Sequence, residues 1–239
     1  MSRARGRLYG LGVGPGKRSP ARPAKAEGPS RSAAPDRPAP EHGDSFARSI
    51  VASWIEGHQQ EIAIRFPMRP GPPPVSIYDS AAVALAAELD RGRDVALLCQ
   101  GDPFVYGSFI NIFARLARRY RIEVVAGVSS VTACAAAAGL PLVSRDETLT
   151  IIPATLNSDV IMARLADADV AVIVKIGRHL EKIRRVLDQL GLLDGAIFVE
   201  HATLPTQRVA PVACINRGDV PYFSIALVRC RGLAPLPRE

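Results

Sequence analysis

A chain of 239 residues is long enough to bury a substantial core, as one large α/β domain or two smaller ones. Its formal charge of +7 sits wholly in residues 1–37, where nine Lys or Arg face Glu27 and Asp36; residues 38–239 carry 21 charges of each sign. The globular part is therefore neutral, which argues against a nucleic-acid partner, and no apolar run approaches the roughly 18 residues that span a bilayer.

The short run after Arg3, Arg5 and Arg7 is broken by glycines and has no cleavage site, so a cytoplasmic protein is expected. Cys99, Cys134, Cys214 and Cys230 form no CxxC pair, and His42, His58, His179 and His201 lack metal-ligand spacing, so neither a disulfide nor a metal is expected.

In chain order, residues 7–13 read as a strand ending in Gly12-Val13-Gly14-Pro15-Gly16. Residues 17–37 contain no Val, Ile, Leu, Met or aromatic residue and are interrupted by four prolines. That composition predicts a disordered or irregular segment. Residues 45–55 read as a helix capped by Ser45 or Asp44, residues 61–66 as a strand, and 67–74 as a proline-rich loop. A helix over 76–91 carries Ala82, Leu85, Ala86 and Leu89 as its apolar stripe.

Asp94–Gln100 is an apolar run of strand length, followed by Gly101-Asp102-Pro103-Phe104-Val105-Tyr106-Gly107-Ser108 and then by helical spacing over 109–116. Strand, turn and helix in that order put the turn at the carboxyl end of a strand, where open α/β sheets hold ligands. Gly-Asp-Pro is also ordinary turn chemistry, so both readings stand on this stretch alone. A strand over 121–125 then turns through Ala126-Gly127-Val128-Ser129-Ser130 into an Ala-rich helix over 131–138.

Further on, the pattern predicts strands at 148–153, 169–176, 196–200 and 222–228, with helices at 157–168 and 179–190. Alternating elements imply a largely parallel α/β architecture throughout. The break at 140–147 predicts domains of 1–143 and 144–239, two α/β domains with a ligand cleft between them.

LYGLGVGPG at 8–16, CQGDPFVYGSF at 99–109, AGVSSVTACAAAAGLPL at 126–142, IVKIGRHL at 173–180 and EHATLPTQ at 200–207 follow one another as in the tetrapyrrole methylase family, which the chain resembles over residues 7–16 and 38–231. The resemblance implies two α/β domains, S-adenosyl-L-methionine as methyl donor and usually a homodimer. The reaction it implies is methyl transfer to C20 of precorrin-2 in cobalamin biosynthesis, with a cobalt-containing form of that substrate or another corrin-ring position as alternatives. By the family pattern Gly101, Asp102, Pro103, Ser129, Ser130, Thr132, Lys175, Ala202 and Thr203 approach the donor. Gly14, Pro15, Tyr106, Arg145 and Arg178 approach the tetrapyrrole, and the glycines of residues 12–16 are not a pyrophosphate cradle.

No nucleophilic side chain is required, because a sulfonium methyl is already activated and alignment supplies much of the rate. One proton must leave the methylated carbon; Asp102, Glu200 and His201 are all candidates to receive it, and no catalytic residue is assigned. Residues 17–37 depart from the family, whose members continue after the glycine turn with a helix and a second strand; the segment reads either as a GC-rich gene locally out of frame or as a genuine basic insert. A different class of reading, a noncatalytic protein with an inert cleft that binds nucleic acid or an acidic partner through this basic segment, therefore stands beside the enzyme.

Overall fold

The computed structural model describes residues 5–13, 31–35, 45–55, 57–65, 74–216 and 220–231. The chain divides into two compact units, Met1–Ser129 and Ser130–Glu239, each built on one five-stranded sheet.

The first sheet has the order β3-β2-β4-β1-β5, with β1 Leu8–Val13, β2 Arg31–Pro35, β3 Gln60–Glu61, β4 Asp94–Gln100 and β5 Ile122–Val125. Every pairing is parallel. Parallel sheets need cover on both faces. Helices α2 (Val75–Asp90) and α3 (Phe109–Leu116) bury Leu8, Val95, Leu97 and Cys99, while α1 (Phe46–Ile50) buries Val13 and Leu98 on the other side. Successive residues of β4 thus feed opposite cores, as the period of two requires. In α2, Leu85 and Leu89 of the expected stripe are fully buried, and buried Glu88 is paired with Arg91 at 2.5 Å and with Arg93.

Three expectations are corrected here. The segment expected to be irregular contains β2, paired with Asp94–Leu98 of β4 over its whole length. A parallel ladder is made by backbone groups, so a strand can form there without the aliphatic residues that signal one. The helix expected over 45–55 ends at Ile50: Ser45 caps it, its hydroxyl accepting from Arg48 N–H at 3.3 Å, and Ala52–Trp54 is a separate 3₁₀ turn. The strand expected over 61–66 shrinks to Gln60–Glu61, with Phe66 outside the described residues.

In the second unit α4 (Ser130–Ala138), α5 (Ser158–Asp167) and α6 (Leu180–Gln189) cover a sheet of order β6-β7-β10-β8-β9. Its strands are β6 Leu149–Pro153, β7 Val170–Val174, β8 Ile197–Glu200, β9 Arg208–Pro211 and β10 Ser224–Arg229. All five residues of β7 are buried: Ala171 and Ile173 face the core under α5 and α6, Val172 and Val174 the core under α4.

The largely parallel architecture expected throughout fails in this unit. Only β6 and β7 pair in parallel, whereas β10 runs antiparallel to both β7 and β8, and β9 antiparallel to β8. A parallel return needs a crossover of a dozen or more residues, usually helical. Residues 201–207, between β8 and β9, are too few, and among the described residues no α-helix follows β8. The boundary expected at 143/144 falls instead at 129/130, because Val131 and Cys134 of α4 share a core with Val172, Val199, Ile225 and Leu227. No helix among the described residues is long and apolar enough to cross a membrane.

Candidate functional site

In the first unit the carboxyl ends of β1, β4 and β5 converge on three glycines. A Cβ on Gly12 would lie 2.5 Å from the Gly127 backbone and 2.7 Å from Gly101 O, and one on Gly127 only 2.2 Å from Gly101 O. The end of β1 and the two loops therefore touch backbone to backbone, an approach that only glycine permits. Gly101 itself adopts φ +75 and has open space beyond its Cα, with Val128 O at 3.6 Å as the nearest atom to an added Cβ.

Asp102 joins the loops. Its Oδ1 accepts from Phe104 N–H at 2.9 Å, an Asx turn, and its Oδ2 accepts from Gly127 N–H at 3.1 Å. Both carboxylate oxygens thus hold backbone. Pro103 is buried beneath the turn, and Gly107 closes it, since a Cβ there would lie 2.7 Å from Pro103 O. Tyr106 is held at φ 56, a left-handed conformation uncommon for a bulky residue, and is exposed together with Phe104 and Val105. The Phe104 ring is braced edge-on against Phe113, centroids 5.2 Å apart. Ser129 ends the loop of residues 126–129 that holds Gly127, and Gly14 and Pro15 lie outside the described residues.

In the second unit β7 and β8 finish at the edge where β10 begins, for Ser224 stands opposite Glu200 and Ala226 opposite Ile173. Lys175 follows β7 at φ 60, and Arg178 lies in the 3₁₀ turn Gly177–His179. His179 is kept below the usual histidine range by burial and by the charges of Lys182 and Arg178.

Beyond β8, His201 and Thr203 adopt φ 49 and φ 69. The turn that includes Ala202 is closed by Leu204 N–H to His201 O at 2.9 Å and by Thr203 N–H to Gln207 Oε1 at 2.7 Å. Non-glycine residues at positive φ, above all β-branched Thr203, store strain that surrounding contacts must hold, and such strain gathers at binding sites. Lys175, Ala202 and Thr203, with Arg178, are therefore brought to one edge of the sheet.

Ser130 and Thr132 occupy the first turn of α4. The chain after that helix is tied to Arg229, which donates to Leu142 O at 3.1 Å and pairs with Glu147 at 2.6 Å. Arg229 stands opposite Val170, the first residue of β7, so the chain that leaves α4 reaches this starting edge. Arg145 lies within the turn that precedes β6, at the starting edge and opposite the edge of Lys175 and Thr203. The structure does not bring it together with them. There, Thr148 N–H and hydroxyl hold the Asp169 carboxyl below its ordinary value, and Ser144 N–H and Arg229 do the same for Glu147.

One feature was missed from sequence, and a second residue, Glu200, was read there only as a candidate proton acceptor. Gly127 has its role fixed by contact with two distant glycines; a glycine in the short turn after a predicted strand was the available signal. Glu200 ends β8 with its Oε2 buried and without a hydrogen-bond partner among the described residues, which no sequence signal announces. Cys134, by contrast, is simply core: burial pushes its thiol up to about 12. Among the described residues no group of His, Cys, Asp and Glu is arranged to hold a metal.

Residues 41–213 match the family model described as Tetrapyrrole (Corrin/Porphyrin) Methylases. The chain is 39% identical over 236 residues to the cobalamin biosynthesis protein CobIJ of Mycobacterium tuberculosis, which covers 94% of this chain but only 46% of that protein. It thus spans about half the length of that relative. It is 36% identical to a precorrin-2 C(20)-methyltransferase of Sinorhizobium sp, with 93% and 95% of the two chains covered. A cobalt-precorrin-2 C(20)-methyltransferase of Salmonella typhimurium is 33% identical over 78% of this chain and 80% of that one. The fold is similar to that of the uroporphyrin-III C-methyl transferase of Thermus thermophilus complexed with S-adenosylhomocysteine: TM-score 0.58, 18% identity, 93% and 97% of the chains covered.

Proposed function

The chain belongs to the tetrapyrrole (corrin/porphyrin) methylases, and from that premise we propose that it transfers a methyl group from S-adenosyl-L-methionine to C20 of precorrin-2 in corrin biosynthesis. The observation that carries this reading is the similarity along nearly the full length of both chains to a protein of that name. In the reaction the S–CH₃ bond of the sulfonium breaks, a C–CH₃ bond forms at the ring carbon, the donor leaves as a neutral thioether, and the methylated carbon gives up a proton.

What the chain's own residues contribute is placement. Gly101, at φ +75 with room beside it, lets a ligand approach main chain, and the Asp102 carboxylate holds its loop against the loop of Gly127. Pre-formed positioning of this kind lowers the entropic cost of aligning donor and acceptor. With both oxygens of Asp102 bonded to backbone N–H groups, we assign it to bracing the donor loop and not to proton removal. Ser129, Ser130, Thr132, Lys175, Ala202 and Thr203 contact the donor in this reading, and Gly14, Pro15, Tyr106 and Arg178 the tetrapyrrole. The carboxylate-rich substrate favours arginine and backbone amides as its partners.

A second acceptor is favoured by the Salmonella relative, whose name specifies the cobalt-containing substrate. The test is calorimetric titration with S-adenosylhomocysteine, then assay with precorrin-2 and with cobalt-precorrin-2, the product read by mass and by NMR at C20. One site per chain and a C20-methylated product are expected. A folded protein that does not bind the thioether would overturn the reading, and faster turnover of the cobalt substrate would reassign the acceptor. We also propose a homodimer, to be checked by light scattering on the eluting protein.

A further inference from the structure

Glu200 is the last residue of β8, and the pleat puts its side chain on the same face as Phe198. Its Oε2 atom is buried with no hydrogen-bond partner among the described residues. The polar groups next to it are already satisfied. His201 N–H donates to Phe223 O at 2.9 Å, and the His201 Nδ1 lies 3.0 Å from the Thr206 hydroxyl. Thr203 N–H is taken by Gln207, and Ser224, directly across on β10 and only 3% exposed, donates its hydroxyl to Pro221 O at 2.6 Å. Arg208, directly across on β9, is exposed and makes no ion pair with Glu200 among the described residues.

Native folds pair their buried polar atoms, so an orphaned carboxylate oxygen calls for an external donor. Its place narrows what that donor is. Glu200 sits at the carboxyl end of a strand, at the edge that gathers Lys175 and the strained Ala202–Thr203 turn. In α/β nucleotide sites an acidic side chain at such a position accepts from ribose hydroxyls, because the two O–H groups of a vicinal diol match the acceptor-only oxygens of a carboxylate. The rigid turn after Glu200, with its own hydrogen bonds closed, holds that acceptor in place.

We infer that the Glu200 carboxylate binds the ribose diol of the S-adenosyl donor. The inference rests on the methyltransferase reading and extends it to a specificity-determining side chain. The other use of such a group, as base for the proton lost from the methylated carbon, separates from this one in binding, since a base leaves the affinity for the product thioether unchanged.

The experiment titrates the full chain with S-adenosylhomocysteine and with its 2′-deoxy and 3′-deoxy analogues, and repeats this with Glu200→Gln and Glu200→Ala. For the unsubstituted chain, removal of either hydroxyl should weaken binding about tenfold or more, as should either substitution with the natural ligand. In Glu200→Ala the penalty for removing a hydroxyl should fall to about twofold or less, the coupling expected of groups in direct contact.

Deoxy analogues that bind the unsubstituted chain as tightly as the diol would overturn the assignment, whether or not the variants fold. So would a hydroxyl penalty of equal size in Glu200→Ala, or unchanged affinity in Glu200→Gln. These results leave the methyl-donor reading intact, whereas no binding by the folded, unsubstituted chain overturns that reading and this assignment with it.

Discussion

The two units solve the same problem, carrying loops at the ends of buried strands, by opposite means. In the first, the end of β1 and two loops meet through Gly12, Gly101 and Gly127, and Asp102 pins one loop to the other through backbone N–H groups. In the second, the loops carry side chains in left-handed conformations, Lys175, His201 and Thr203, above a sheet whose strand β7 is buried on both faces. At Gly12 and Gly127 the first arrangement has no room for an added atom, and the second rests on atoms that must not be removed.

The largest expected effect is therefore a deletion in the second unit. Phe198 is fully buried in the core beneath α5 and α6, and Phe198→Ala should cost about 3–5 kcal/mol, read as a lower urea midpoint. Next comes an addition in the first unit. Gly127→Ala puts a methyl 2.2 Å from a backbone oxygen that has no flexible way out, so a loss of about 3 kcal/mol is expected, together with loss of S-adenosylhomocysteine binding by calorimetry.

Gly101→Ala sharpens the contrast, because its Cβ meets nothing closer than 3.6 Å. Only the φ of +75 is penalised, so about 1 kcal/mol is expected, and an effect equal to that of Gly127→Ala would break the distinction between crowding and conformation.

The smallest effect is electrostatic. Glu147 has its folded pKa lowered from the ordinary 4.5 by Ser144 N–H and Arg229, so its contribution is present above that value and fades as pH falls through the lower, folded one. In Glu147→Gln the stability curve should be shallower below pH 4.5 than in the unsubstituted protein, with no matching change near neutrality, as acid titrations followed by circular dichroism will show.

Much of this was legible in the chain because local pattern reports burial. The alternation of β4, the stripe of α2 and the all-apolar run of β7 each mark an element that packs, and the GDP turn between strand and helix marks a loop at a sheet's carboxyl end. Strands β2 and β9, RSAAP and RVAP, lack that pattern and owe their place to ladders with distant partners. Asp102 read as a donor contact or a base until its two backbone partners were in view. Arg145 shared a motif boundary with the other site residues but not their edge of the sheet.

By itself the sequence determined the α/β class, most of the elements in order, and the family, since apolar periodicity and turn chemistry are local properties and the motifs lie within short stretches. Tertiary structure alone decided the direction of β9 and β10, the membership of α4 in the second unit, the contact of three glycines and the unpartnered oxygen of Glu200. Each of these depends on which groups meet across long stretches of chain, and hydrogen-bond partners and steric contacts of that kind leave no trace in the spacing of neighbouring residues.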